Sequence, residues 1–285
     1  MKQAKNEAGA TITIMKIATE KRAYCVRGMT PLIMNRLSRK TQKQLLLPPP
    51  KKTQAERSVT LKHNPLEEFL AAPHRLPDGK TLLAMPTTAF KSAMRETALR
   101  LPGSSKKEIG QLCYIRGDMI PVWGIPKLLM SPVRSADMNK TPDIRTRVIL
   151  PHWCAVVTIE YIVPQLSGAS IDNLFAGAGQ IMGIGDWRPE KGSGDYGTFE
   201  LVGEDDTDFK AIMKAGGRKA QLAAMDAAEP YDAESQELLD FFNREIVRRG
   251  DQKKLASSKP AQSRPGNGAH VGDANFHQIG HSQDA

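Results

Sequence analysis

The sequence predicts an α+β protein built on a βαββαβ, ferredoxin-like plan, interrupted by two basic insertions and followed by a helical C-terminal extension. Three observations carry this. Apolar residues alternate through Trp153–Val163, they recur at helical spacing in Thr88–Leu101 and Ser170–Met182, and Lys and Arg crowd into stretches with neither period. With 285 residues and 40% hydrophobic content the chain can bury a core, which argues against wholesale disorder.

Ile12 and Ile14 alternate with Thr, and the pattern resumes at Tyr24 and Val26 up to Gly28, as in a long first strand or hairpin ending at Thr30-Pro31. Arg36–Leu47 has helical spacing until Pro48-Pro49-Pro50 stops it, and 51–62 is polar and aperiodic, a mobile loop or projecting arm. Met85-Pro86 leads into the Thr88–Leu101 helix, with Thr87 or Thr88 as its cap and Phe90, Met94, Thr97, Ala98 and Leu101 on its inner face. A second short helix is expected over Ser105–Tyr114. Met119–Trp123 and Ile125–Met130 read as strands whose prolines suit a sheet edge.

A basic, Pro-containing insertion then spans Ser131–Pro151. In the strand Trp153–Val163, the face carrying Trp153, Ala155, Val157, Ile159, Tyr161 and Val163 is the buried one. The helix Ser170–Met182 turns Ile171, Leu174, Phe175 and Ala178 inward, and after the Gly-rich 183–197 the stretch Tyr196–Val202 closes the sheet. Beyond Gly203, Phe209–Ala228 and Ala233–Arg249 read as helices. The expected organisation is a domain over 1–203 with an inserted arm at about 36–80 and a second insertion at about 131–151, a helical extension over 204–250, and a disordered tail over 251–285.

The chain carries 40 Lys+Arg against 31 Asp+Glu, a net charge of +9 that points to a polyanionic partner, with nucleic acid ahead of an anionic membrane surface. Twelve Lys/Arg lie between Lys16 and Lys62 against Glu20 and Glu56 alone, so that stretch holds more positive charge than the whole-chain excess. Concentrated charge of this kind suits phosphate contacts, each of which releases condensed counterions. No apolar run approaches the roughly 18–20 residues of a spanning helix, and no apolar signal core follows Met1–Lys5, so a cytoplasmic protein without a membrane partner is expected. Cys25, Cys113 and Cys154 form no C-x-x-C pair and read as ordinary thiols; His270, His277 and His281 are too widely spaced for a metal site. No cofactor or metal is expected.

Two further segments carry chemistry. Met85–Arg95 offers a helix N-terminus with unpaired N–H groups and places Lys91 and Arg95 one turn apart beside it. Gly183–Gly197 follows a helix and precedes a strand, the reverse of a dinucleotide-binding fingerprint, and lacks P-loop spacing. Its glycines allow close backbone approach to a ligand, Arg188 and Lys191 supply charge, and Trp187 and Tyr196 supply flat faces for bases; the competing account is a tight turn with a packed Trp. For catalysis His63, His74 and His152 stand apart, without a nucleophile in a recognisable signature, so no catalytic residue is assigned.

Met85–Arg95, with Pro86, Lys91, Ala93 and Arg95, resembles the "P-G-S-S-L-K-G-A-L-R" helix start of the RAMP superfamily, the RNA-binding proteins of CRISPR systems. Gly183–Phe199 resembles that family's C-terminal Gly-rich loop. The start Gly28–Arg36 and the loop Gly185–Gly192 are also similar to a group of tailed-phage proteins. Over about Ile12–Val202 the resemblance implies an RRM-like core with an inserted thumb or finger, most like the backbone subunits that polymerise along a guide RNA. Thr87-Thr88-Ala89 stands where the family has Gly-Ser-Ser, and Asp186 and Glu190 sit beside the loop's basic pair.

The expected function is therefore non-enzymatic, oligomeric binding of single-stranded nucleic acid, RNA ranked ahead of DNA, in a bacterial or phage-infected bacterial cell, possible effector subunits being further partners. Arg36, Lys40, Lys43, Lys91, Arg95, Arg134, Arg145, Arg147, Arg188 and Lys191 are the expected phosphate contacts, Gly185 permits close approach, and Trp187 and Tyr196 stack or wedge bases. Ranked below are a phage-type single-stranded DNA binding or annealing protein, a guide-RNA-processing endoribonuclease, and a structural protein whose basic arm docks on an acidic partner.

Overall fold

The computed structural model describes residues 16–37, 63–103, 105–134, 142–192 and 194–257, together with 42, 45–47 and 53. It is an α+β fold with two antiparallel sheets. The strands of the larger sheet are β1 (Ala18–Gly28), β3 (His74–Arg75), β4 (Leu83–Pro86), β5 (Cys113–Tyr114), β6 (Met119–Trp123), β9 (Cys154–Val163) and β10 (Phe199–Val202), in the order β10-β1-β9-β6-β4-β3 with β5 also on β9. The smaller sheet is β2 (Leu32–Met34), β8 (Pro142–Leu150) and β7 (Lys127–Arg134). Helices are α1 (Pro65–Ala71), α2 (Thr87–Thr97), α3 (Lys106–Leu112), α4 (Gly168–Gly177, continued by a π-helical turn over Ala178–Met182), α5 (Thr207–Ala215), α6 (Arg218–Ala227) and α7 (Ala233–Ser257).

β1 and β9 form the spine, paired from Ala18↔Val163 to Arg27↔Cys154. Alternation in β9 sends Ala155, Val157, Ile159 and Tyr161 to one face, where they are fully buried with Tyr24 and Val26 under α2 and α4. There Phe175 stands between Tyr24 and Phe199, each ring centroid 5.3 Å away, and Phe90 and Trp153 close on Phe199 at 6.0 and 6.2 Å. Edge-on and tilted contacts of this kind add to the area they bury. The indole N–H of Trp153 donates to the Thr30 carbonyl, so the largest core side chain is also satisfied.

The opposite face of the sheet is covered too. Cys154 and Trp123 are buried with Phe209 of α5, flanked by Cys25, Val156, Ile212 and Met213. Burial pushes the Cys154 thiol up to about 12, with the nearby Cys25 adding to the effect, and the Cys113 thiol up to about 11 against the opposing charge of Lys91, so both stay protonated at neutral pH. Gln221 of α6, fully buried, accepts from the Leu82 and Leu83 N–H groups and donates to the Val122 and Gly124 carbonyls, bridging the gap between β4 and β6 as a strand would. Ser235 of α7 bonds both the N–H and the carbonyl of Met130. A compact unit therefore runs to Phe241, past the Gly203 boundary that composition suggests. In the second unit, Phe242–Ala285, Glu245 of α7 pairs with Arg248 and Arg249.

Several expectations change. β6 is no edge strand: it pairs with β4 through Met119–Pro121 and with β9 through Val122 and Trp123, and the division of partners lets Pro121 sit in a sheet interior. The second insertion contains β8 and much of the β7–β8 hairpin, which pairs from Lys127↔Ile149 to Arg134↔Pro142. Within the stretch assigned to the arm lie α1, capped by Asn64, and β3, so the chain has rejoined the fold by His63. Phe209–Ala228 is two helices, broken at Gly216, where a Cβ would stand 2.2 Å from the Gly124 nitrogen. Helix α7 extends to Ser257; the rest of the expected tail, the three tail histidines, Ile12 and Ile14, and half of Arg36–Leu47 lie outside the described residues.

Candidate nucleic-acid interface

Strand β4 runs straight into α2, and the junction residue Pro86 is extended and offers no side-chain cap. Thr87 is not the cap. It is the first helical residue, with its N–H bonded to the Asp118 carbonyl and its hydroxyl to the Gly117 carbonyl. The first turn of α2 opens through Thr88, Ala89 and Ser92 into a cleft of about 350 Å3. Its far wall is the Gly-rich loop, through Gly185, Asp186, Arg188 and Glu190, and Asn35 and His74 stand at its side. Two motifs a hundred residues apart thus share one cleft, because α2 packs on the π-helical turn that leads into the loop, and the loop in turn lies along β2.

The loop is laid along β2. Asp186 N–H donates to the Ile33 carbonyl, and at Gly185, φ +84°, a Cβ would stand 2.5 Å from that same oxygen, so only glycine fits. Trp187 follows at φ +54°, a left-handed conformation that costs a bulky residue energy. It is held there by packing: its ring meets Tyr196 at 6.0 Å, the Arg147 guanidinium lies 4.6 Å over it, and both aromatics rest on the cluster of Ile33, Leu129 and Ile149. Trp187 is half-buried and does not touch the core around Phe199.

Arg147, expected among the phosphate contacts, is 3% exposed. It donates to Ser131, and its Nε stands 2.9 Å from Asp186 Oδ2, close for an ion pair though not aligned for a hydrogen bond. Asp186 also accepts from Asn35. Arg147 therefore positions the loop and presents Trp187 rather than facing solvent. Arg188 donates to Glu190 at 2.6 Å and to the Gly185 carbonyl at 2.8 Å, while exposed Lys191 approaches Glu190 at 3.5 Å. Burial alone would raise the Glu190 carboxyl, but the hydrogen bond and charge of Arg188, with Lys191 behind them, hold it below the usual range.

The remaining cations lie in two other places. Lys91 and Arg95 of α2 line a separate groove with Lys106 and Lys107 of α3, which Ser105 and Glu108 fix with a capping box. Lys91 stands 5.1 Å over the Tyr114 ring, Lys106 is paired with Glu96, and Arg95 Nε is buried without a hydrogen-bond partner. Arg36 and exposed Arg145 share a second cleft, of about 400 Å3, with Glu68, and exposed Arg134 ends β7. Lys40 and Lys43 lie outside the described residues. The sequence assigned no binding role to Asn35, Ser92, Asp186, Glu190 or Lys107, although Asn35 sits inside the Gly28–Arg36 motif, Ser92 inside Met85–Arg95, and Asp186 and Glu190 inside Gly185–Gly192; Lys107 lies in none of them.

The histidines divide. His63 is gripped on both sides, Nδ1 2.7 Å from Glu68 and Nε2 2.9 Å from Asp143, which ties α1 to β8. His74 lines the cleft, and burial, reinforced by the charge of Arg36, pulls it below the usual imidazole range. Among the described residues no group of His, Cys, Asp or Glu could hold a metal, and no helix is long and apolar enough to cross a membrane.

No protein-family model matches the chain, and no curated protein matches it either. Among solved structures, the crystal structure of Cmr6 from Pyrococcus furiosus is similar to 65% of this chain over 98% of its own length, at 9% identity and a TM-score of 0.35, a likeness too loose to transfer a residue or a role.

Proposed function

We propose that the protein is a non-enzymatic binder of single-stranded nucleic acid, RNA ahead of DNA, that assembles copy by copy along the strand in the manner of RAMP-superfamily backbone subunits. One observation carries the reading: the uncapped first turn of α2 and the Gly-rich loop, the two segments that resemble that family, form the walls of one cleft. The N–H groups that follow the bonded Thr87 at the helix start favour a phosphate, Arg188 lines the same cleft, and Lys191, Trp187 and Tyr196 lie outside its lining on the same loop, the two aromatics offering faces to bases. The strand order β10-β1-β9-β6, with α2 before β6 and α4 between β9 and β10, supports a ferredoxin-like, RRM-like core. Because α5 covers the sheet face that such a core leaves open, the cleft at the strand ends takes over the binding.

The test is a salt titration with labelled single strands of RNA and of DNA. Two or three phosphates held per subunit predict that affinity falls about tenfold between about 50 and 200 mM salt. A flat response sinks the reading, and tighter binding of DNA moves it to a phage-type single-strand DNA protein. Bound RNA should stay intact for hours, with or without divalent metal. Cleavage that disappears in His74→Ala, the one histidine lining the cleft, would replace this reading with the nuclease.

A further inference from the structure

Two features on the described surface have no partner among the described residues. Leu45, Leu46 and Leu47 are 73%, 81% and 78% exposed, three consecutive large apolar side chains on the basic arm. Water contact on that scale is unfavourable unless something covers them. Elsewhere, the corner between β6 and β7 and the β8–β9 turn form a mostly apolar groove of about 640 Å3 with α5, lined by Ile125, Pro151, Ala211, Ile212, Ala215 and Tyr231. Ile125 is 44% exposed there.

We infer that the leucines of one copy dock in this groove of a second copy. Charge selects the match. Residues 36–62 carry eight Lys/Arg against Glu56 alone, while residues 204–240, which build one side of the groove, carry ten Asp/Glu against four Lys/Arg. In the groove wall itself Glu229 is 3.9 Å from Lys127, and the acidic excess comes from Asp232 and Glu234, which follow next to it at the start of α7. The apolar contact supplies affinity and the opposed charges supply orientation and speed of encounter. Arm and groove are different surfaces, so the contact is heterologous and each pair keeps one arm and one groove free to bind further copies. Such a contact builds an open chain of copies. This deepens the copy-by-copy reading above, resting on it for its biological purpose, whereas its evidence is independent of the nucleic-acid cleft.

The experiment uses the full chain freed of nucleic acid, at low salt, with mass followed by sedimentation across a concentration series. The wild type should grow beyond a monomer as concentration rises and should weaken as salt screens the charges. Leu45→Asp with Leu46→Asp removes the arm's contact, and Ala211→Lys with Ala215→Lys blocks the groove at exposed positions of α5. Each double variant should remain monomeric over at least a tenfold higher concentration, and an equal mixture of the two should form a species of two chains and no larger, from one intact arm and one intact groove. That mixture also shows that both variants are folded. A wild type that stays monomeric, as it would if the arm closed on its own groove or served another protein, overturns the inference. So does a mixture that stays monomeric, or a variant that still grows. Single-strand affinity measured on the wild type and on the monomeric variants keeps the two proposals apart: a wild type that assembles but binds no strand sinks only the cleft reading, and one that binds a strand but never assembles sinks only this one.

Discussion

The two faces of the main sheet are sealed by different means. Beneath α2 and α4 the seal is apolar and aromatic, with Phe90, Phe175, Phe199, Tyr24 and Trp153 in mutual ring contact. Beneath α5 and α6 it is partly polar, a small cluster around Cys154 and Phe209 supplemented by the buried amide of Gln221. The first face is a core in the usual sense, held by area and shape. The second is a lid fastened by completing backbone hydrogen bonds that β4 and β6 leave unpaired. A lid of that kind occupies the surface where an uncovered sheet would offer stacking platforms.

The comparison breaks most visibly at Phe175, which bridges Tyr24, Phe90 and Phe199 and is fully buried. Phe175→Ala should cost about 3–5 kcal/mol, read as a fall in the denaturation midpoint with single-strand affinity of the folded fraction unchanged. Gln221→Leu tests the other face by keeping the volume and removing the amide. It strands two N–H groups and two carbonyls, and partial relaxation leaves an expected loss of about 2–4 kcal/mol. Should Gln221→Leu prove neutral, the α6 contact is packing alone and the distinction between the faces fails.

How much of this was legible follows the same divide. The alternation in Trp153–Val163 identified the aromatic face residue by residue, and Ala155, Val157, Ile159 and Tyr161 are all fully buried. The burial of Cys154 on the other face could not be read, because it depends on Phe209 arriving from more than fifty residues downstream. Strand β8 was hidden by its arginines: Arg145 and Arg147 looked like a solvated insertion, yet Arg147 is buried because Asp186 and Trp187 come to meet it. The two walls of the cleft were each visible as motifs. Their meeting was not, since it rests on long-range contacts that no local pattern announces, among them α2 packing on the π-helical turn before the loop and the Ile33–Asp186 bridge.

Trp187 sharpens the comparison at the site itself. If it both packs on Ile33 and Ile149 and stacks on bases, Trp187→Ala should weaken single-strand binding by roughly 1–3 kcal/mol in the fully folded protein, with a smaller loss of stability. Trp187→Gly should bind as weakly but be more stable than the Ala variant by about 1 kcal/mol, since only glycine takes φ +54° without strain. Equal stability of the two variants would mean the loop relaxes once the indole is gone. Normal binding by the folded Ala variant would assign Trp187 to packing alone.

The smallest expected effect concerns the ion pair that competes with phosphate for Arg188. Glu190 and Arg188 side chains are 20% and 26% exposed, so their attraction is only partly screened, and a strand phosphate has to displace the carboxylate from the guanidinium. Glu190→Gln removes the competitor while keeping an acceptor of the same shape, and at neutral pH it should tighten single-strand binding by about two- to fivefold, within the energy of a partly exposed pair. The sign of the pH effect is fixed by the direction of the shift. Because Arg188 holds the Glu190 carboxyl below its ordinary value of 4.5, the pair's contribution to stability is fully present above that value and is lost as pH falls through the lowered one. Wild-type affinity for a DNA strand should accordingly rise toward that of Glu190→Gln only in that acid window, while the variant shows no such rise. Weaker binding by Glu190→Gln at neutral pH would show instead that the carboxylate aims Arg188 at the ligand, and that the pair is part of the site rather than its competitor.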